Sequence, residues 1–515
     1  MSTICRADSF KRRAVSILFL IAVFLLTGCM NEPLRERTDT WPLPSARPGP
    51  AAPKGDAQSR EKAVVTLFVP DRERSRLAAR TDTVDTQAGV TLESTVAARL
   101  LDVLTPMYPS LSGQSLRLSQ TEPTVERAGN VVMVNLGYSM RLLSPREQFT
   151  VRAALTNTLA ELGGISRVGV LINGREDGSD IASTNPVGLL PRISEGDIDS
   201  YWNQLDVVPG TDITRVAALY YPCTDGIHIL AESRAIAFSS ADSPDGFRQS
   251  LIEGVLRELT AGSAVYSSST VTLMPPDSYL VYPPRAYTPS GSADNLVELS
   301  FRAELDDYLA VRGGNRASFF ASLTYTLTGF VPGLDGVIIH VGGKPVTDLA
   351  VSDEQSLNFE NGRMNREDFD GFSAGLAVLY FPTADGRLVR VVQPIARRLT
   401  GTPRELLRLL LQGSPDGSIG IIPGARYGDE EILGVSINGD TALVNVSEVL
   451  ADACGGLSEE QTRGFLYAVV NTLTELRGVR RVRFYVQGEE REFLNEPYSS
   501  VGEFFRNPGI VINAT

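Results

Sequence analysis

The chain has 515 residues, 43% hydrophobic and 21% charged, an ordinary globular composition with length for roughly three domains of about 100–200 residues. A net charge of -13 argues against a nucleic-acid backbone as partner, because such binding rests on clustered Lys and Arg. It also disfavours direct adhesion to anionic lipid, so membrane attachment needs another cause.

In chain order, Lys11-Arg12-Arg13 precede a thirteen-residue apolar run from Ala14 to Leu26. As a helix this run rises about 20 Å against a hydrocarbon core of about 30 Å, so residues 1–28 read as a secretory signal and not as a span. Leu26-Thr27-Gly28-Cys29 resembles the lipobox of bacterial lipoproteins. The resemblance implies cleavage before Cys29 and a diacylglycerol on its thiol, which places the protein on the extracytoplasmic face of the cell membrane. Two acyl chains suffice for stable anchoring where one is marginal. Residues 29–61, rich in Pro, Arg, Ser and Ala, read as a disordered tether. Cys223 and Cys454 are then the cysteines left, with neither a disulfide framework nor metal-ligand spacing; one long-range bridge or two buried thiols both fit.

Three later segments share one pattern, expected at 62–176, 213–346 and 374–490. The third sets the template. Ala377 to Pro382 is a strand, Asp385-Gly386 a hairpin turn, and Leu388 to Val392 the returning strand. Thr402-Pro403-Arg404-Glu405 opens a helix lined by Leu406, Leu407, Leu410 and Leu411. Asn438-Gly439 joins two further strands, Ser458-Glu459-Glu460-Gln461 caps a long helix, and Val482 to Val486 closes the unit as ββαββαβ. In the first copy Val65 to Pro70, Val96 to Leu104, Val131 to Leu136 and the Ser144-Pro145-Arg146-Glu147 cap correspond. In the second, Ala218 to Pro222, the Asp225-Gly226 turn, Asn295 to Ser300 and Ala317 to Leu327 do so around a Pro-rich insertion at about 274–292. Sixteen residues separate Thr158, Thr326 and Thr472 from Gly174, Gly342 and Gly488 in turn, which argues for one domain copied in tandem. Residues 177–212 and 347–373 read as linkers, partly packed between domains, and 491–515 as a C-terminal tail.

Tyr380-Phe381-Pro382, Asp385-Gly386, the Leu406–Gly413 helix and Asn471-Thr472-Leu473 before a Val-rich strand resemble the GerMN domain of sporulation and germination lipoproteins of the GerM family. Asn157-Thr158-Leu159 carries the resemblance in the first copy and Thr326-Leu327 in the second, where Tyr325 stands for Asn. The resemblance implies α+β architecture, three tandem ββαββαβ domains each with a small mixed sheet packed by two helices. It also implies an assembly role without catalysis.

The residues themselves agree with a non-enzymatic reading. Gly371-Phe372-Ser373-Ala374-Gly375 matches a nucleophile elbow, but a strand follows it where a helix should, and no His lies nearby in sequence. His228 and His340 read as satisfied strand histidines, and Glu304, Asp306 and Asp307 as a solvated run. Asn157 and Asn471 are expected to tie helix to strand. Neither GxGxxG nor a Walker pattern follows a strand, so no catalytic residue, metal or cofactor is expected. The expected role is a tethered scaffold for envelope or sporulation proteins. The second reading is a peptidoglycan or polysaccharide binder, with Tyr220, Tyr221, Tyr380, Phe381 and Tyr485 as candidate exposed aromatics.

Overall fold

The computed structural model describes residues 50–56, 61–86, 90–177, 188–202, 212–239, 244–292, 294–351, 355–415 and 417–512. The signal at 1–28 and the lipobox residues Leu26, Thr27, Gly28 and Cys29 lie outside them. Among the described residues no helix is long and apolar enough to cross a membrane. The architecture is α+β, built from small mixed sheets and antiparallel ribbons.

One succession of elements runs three times along residues 61–512. The first module opens with the ribbon β1 (Glu61–Pro70) and β2 (Leu77–Thr86), then α1 (Leu92–Leu104). Strands β3 (Val125–Ala128) and β4 (Val131–Leu136) form a hairpin, and α2 (Pro145–Ala160) crosses to β5 (Arg167–Ile172), parallel to β4. A return strand, β6 (Leu190–Pro191), adds antiparallel to β5 and precedes the short α3 (Ile198–Trp202). A parallel pair needs a crossover of a dozen or more residues, which the long helix supplies.

The second module repeats this with β7 (Asp212–Pro222), β8 (Ile229–Ser239), α4 (Pro244–Ala261), β9 (Arg285–Tyr287) and β10 (Leu296–Phe301). Then follow α5 (Leu305–Val311), α6 (Arg316–Phe330) and β11 (Gly336–Val341), parallel to β10. The short strands β12 (Lys344–Pro345), β13 (Asp348–Ala350), β14 (Ser356–Asn358) and β15 (Arg363–Met364) come next, β15 being the return strand on β11. The third module comprises β16 (Ala374–Pro382), β17 (Leu388–Ala396), α7 (Pro403–Gln412), β18 (Ile432–Asn438) and β19 (Thr441–Val446). It continues through α8 (Glu448–Gly455), α9 (Glu459–Leu473) and β20 (Arg481–Val486), parallel to β19. Its return strand is β21 (Phe504–Phe505), and β22 (Val511–Ile512) extends the β16–β17 ribbon.

Local chemistry sets the helix starts. Ser144 and Glu147 cap α2 reciprocally, and Ser458 and Gln461 do the same for α9. Thr402 precedes α7 without the expected side-chain bond, so Pro403 and the first-turn acid Glu405 mark that start.

Core packing joins the modules. On β4, Val132, Val134 and Leu136 belong to the first module's core, while Val131 and Met133 lie in the cluster that forms the second module's core. With period-two alternation this strand is buried on both faces, which is why it reads as an unbroken apolar run. Gly169 on β5 leaves the space that Met133 and Leu189 fill, since a Cβ would stand 2.4 Å from the Met133 sulfur.

Four sequence expectations change. The stretch at 177–212 carries β6 and α3, and that at 347–373 carries β13 to β15, so both complete modules instead of linking them. The tail after 490 is built into two sheets through β21 and β22. The tether's end, Pro53 to Asp56, packs on the third module.

Candidate functional site

The three Thr residues that mark the repeat make the same bond. Thr158 Oγ1 accepts from the Phe68 N–H at 2.8 Å, Thr326 from Tyr220 N–H at 3.0 Å, and Thr472 from Tyr380 N–H at 3.1 Å. Each hydroxyl is fully buried and covers a donor of the opening strand, β1, β7 or β16, that lies on the edge facing the long helix. Leaving such a donor unpaired would cost about 1–3 kcal/mol. Leu159, Leu327 and Leu473 follow in the helix and are fully buried.

The preceding Asn grips the segment after the return strand, not a strand as expected. Asn157 donates to the Ile193 carbonyl at 3.1 Å and accepts from its N–H at 2.8 Å; Asn471 does the same to Asn507 at 2.9 Å each way. Three residues beyond each Thr the pattern continues. Glu161 pairs with Arg192 at 2.5 Å, and Glu475 pairs with Arg506. Arg192 stacks over the Phe68 ring at 5.3 Å and Arg506 over Tyr380 at 5.5 Å, the rings whose own N–H groups the Thr residues hold. Helix, opening strand and returning segment are thus clasped at one point.

The second module alters the clasp. Tyr325 replaces the Asn and reaches the Phe369 carbonyl at 3.3 Å. Gly329 replaces the Glu, and Arg366, almost fully buried, lies over both Tyr220 at 5.1 Å and Tyr325 at 4.5 Å while donating to the Tyr325 carbonyl at 2.6 Å. An Asn and a Glu are exchanged for aromatic area and a cation on its face.

Next to this altered clasp, side chains from three modules meet. Glu126 of β3, its side chain 1% exposed, accepts from the Tyr220 hydroxyl at 2.7 Å and the Ser373 hydroxyl at 2.8 Å. Arg397 pairs with Glu126 at 3.1 Å and donates to Ser373 Oγ at 3.1 Å and to the Ala374 carbonyl at 2.5 Å. Burial, and then the adjacent Glu126 carboxylate, push the Tyr220 hydroxyl far above its ordinary value, so it remains a donor. Ser373 therefore donates its hydroxyl to the Glu126 carboxylate and accepts from Arg397 at the same oxygen, which ties the modules together at this point.

The remaining sequence candidates have other partners, although His228 immediately precedes Ile229, which bridges Ser373. His228 Nδ1 sits 2.7 Å from Asp225 in its own turn, and His340 Nδ1 lies 3.2 Å from Glu298 on the second module's sheet. Among the described residues no group of three or more His, Cys, Asp or Glu could hold a metal. Cys223 and Cys454 are free and buried, and burial pushes both thiols up from their ordinary value. Asp306 is held by Arg316 through two bonds of 2.6 Å. Tyr220, Tyr221, Tyr380, Phe381 and Tyr485 are buried, so they form no exposed aromatic face. Pro382 ends β16 against α9, where a Cβ on Gly464 would stand 2.6 Å from its own Cβ. Asp385 accepts from Thr383 at 2.5 Å and Arg387 at 2.6 Å, and Gly386 takes φ 71° where a Cβ would meet the Glu460 carbonyl oxygen at 2.4 Å. A groove of about 800 Å³ between α4 and the Pro-rich insertion is lined by Glu253, Leu256, Arg257 and Tyr282 among others.

Sequence reasoning missed Glu161, Glu475, Arg192, Arg366, Arg506, Glu126 and Arg397. One signal was available for two of them: the acid three residues after Thr158 and after Thr472.

Residues 378–492 match the Germane family, described as sporulation and spore germination. No curated protein matches the chain. Among solved structures, the tandem GerMN domains of the sporulation protein GerM from Bacillus subtilis align at 16% identity over 59% of this chain and 100% of that one, with a TM-score of 0.22. A putative lipoprotein from Clostridium perfringens aligns at 21% identity over 26% of this chain and 87% of that one, with a TM-score of 0.18. The first GerMN domain of the Bacillus subtilis GerM aligns at 21% identity over 25% of this chain and 92% of that one, also with a TM-score of 0.18. The family match takes in the second half of β16, the Asn471–Thr472–Glu475 clasp and β20, so the third module carries a Germane-type domain.

Proposed function

We propose that the protein is an extracytoplasmic lipoprotein, anchored through Cys29, whose three GerMN-like domains form a non-catalytic scaffold for protein partners in sporulation, germination or envelope assembly. The observation that carries this reading is the sealed junction of Glu126, Tyr220, Ser373 and Arg397. Where ionisable side chains of three modules converge, they pair with one another, as a structural joint between domains would. Backbone is also open: residues 78–81 of β2 are exposed on a strand whose ladder partner among the described residues is β1 alone, and such an edge accepts a strand from another chain.

The test uses the full chain in its host. Wild type and Cys29→Ser are fractionated, and partners are cross-linked in intact envelopes before solubilisation. Membrane retention lost in Cys29→Ser, with a discrete set of cross-linked proteins, is the expected result. Retention on purified peptidoglycan that survives high salt, without protein cross-links, would replace the scaffold with a wall binder.

A further inference from the structure

The stretch between the tether and β1 is seated on the last module. Pro53 is buried, and its carbonyl accepts from Asn445 Nδ2 at 2.9 Å. Asp56 accepts from the Val435 N–H at 3.2 Å and from Arg404 at 3.1 Å. The seat is a β-bulge of β18, between Ile432 and Gly434. Gly434 admits the segment: a Cβ there would stand 2.8 Å from the Gly55 nitrogen, 2.8 Å from the Pro53 oxygen and 3.1 Å from the Gly55 Cα. In the first module the equivalent Asn135 donates to the Thr121 carbonyl at 3.1 Å, an acceptor from its own module. The third module takes that acceptor from a residue 392 positions away.

We infer that residues 53–56 are a strap by which the lipid anchor leaves the folded body at the third module, so that the β18 side of this domain faces the bilayer. The membrane part of the inference rests on the lipoprotein reading of Cys29; the strap does not. Twenty-three residues lie between Cys29 and Pro53, and a stretch of that length reaches at most about 80 Å. A docked strap therefore sets the module from which the tether departs and limits how far that module can stand from the lipid.

Gly434→Ala tests the strap, because the three nearest atoms its Cβ meets all belong to residues 53–55. In the full chain, hydrogen exchange at Val435 is expected to accelerate at least tenfold in Gly434→Ala and in Asp56→Ala, with β19 and β20 unchanged. Unchanged exchange in both variants overturns the strap, and protection that grows with protein concentration assigns the segment to a second copy. For the anchor, donor dyes are placed at Glu430→Cys and, separately, Val311→Cys, both exposed positions, while Cys223 and Cys454 are buried. On vesicles with an acceptor-labelled headgroup, the lipidated chain should show stronger transfer from 430 than from 311, and Gly434→Ala should shrink the difference. Equal or reversed transfer in wild type overturns the orientation. Vesicle binding that persists in Cys29→Ser instead overturns the lipoprotein reading, and Val435 exchange still reports the strap.

Discussion

Arg366 occupies the volume over Gly329: a Cβ on that glycine would lie 2.2 Å from the guanidinium NH2. Glycine inside a helix normally costs about 1 kcal/mol against alanine, so Gly329→Ala would ordinarily stabilise. Here it displaces a buried arginine that bonds the Tyr325 carbonyl at 2.6 Å. A hydrogen bond from a charged group contributes about 1.5–3 kcal/mol, which exceeds the helix gain. Gly329→Ala should therefore lower stability by about 1 kcal/mol, and urea unfolding checks it.

The clasp hydroxyl is separable from its volume. Thr472→Val keeps the shape but leaves the Tyr380 N–H without its acceptor, at a cost of about 1–3 kcal/mol. Thr472→Ser keeps the acceptor and should cost less. If denaturant midpoints rank Val above Ser, the Thr acts through packing and not through the bond.

Glu126→Ala breaks the three-module junction from its centre. Arg397 and the Tyr220 hydroxyl lose a buried acceptor, and removing one partner of a buried pair costs about 3–5 kcal/mol. Ser373→Ala removes a donor to Glu126 and an acceptor of Arg397 but leaves the Glu126–Arg397 pair in place, and should cost less, about 1–3 kcal/mol. Calorimetry should show the Glu126→Ala endotherm splitting as modules uncouple, while Ser373→Ala stays closer to wild type.

The Asp385 turn makes stability depend on acid. Its bond from Thr383, then that from Arg387, lower the carboxyl from an ordinary 3.8 to about 2. A lowered folded value means the contribution is present above pH 3.8 and is lost as pH falls toward 2. The melting difference between wild type and Asp385→Asn should thus be positive at pH 6 and close between pH 4 and 2. Because the group is exposed, high salt should shrink it as well.

Legibility in the sequence followed the length of each signal. The Thr-to-Gly spacing was readable because one long helix and one strand of nearly fixed length lie between them, and the bond from Thr to the opening strand makes that spacing functional. The return strands β6, β15 and β21 are two residues each, too short for any periodicity, so their segments read as linkers and tail. That error carried over to Asn157 and Asn471, whose partners sit just past those strands. β2 was missed because its residues are mostly exposed and polar. Glu126, Arg366 and Arg397 meet their partners through contacts distant in sequence, and nothing local to them signals it.

The bond between Pro53 and Asn445 imposes an order on biosynthesis. A ribosome adding about 5–20 residues per second needs roughly 20–80 s to cover the 392 positions between them. For that interval the nascent N-terminal end has no seat, and the first two modules can be complete while it is still loose. Only when the final sheet closes does the earliest-made part of the body become fixed, so a ribosome stalled late in the message would release a chain with two finished modules and an unsecured front end.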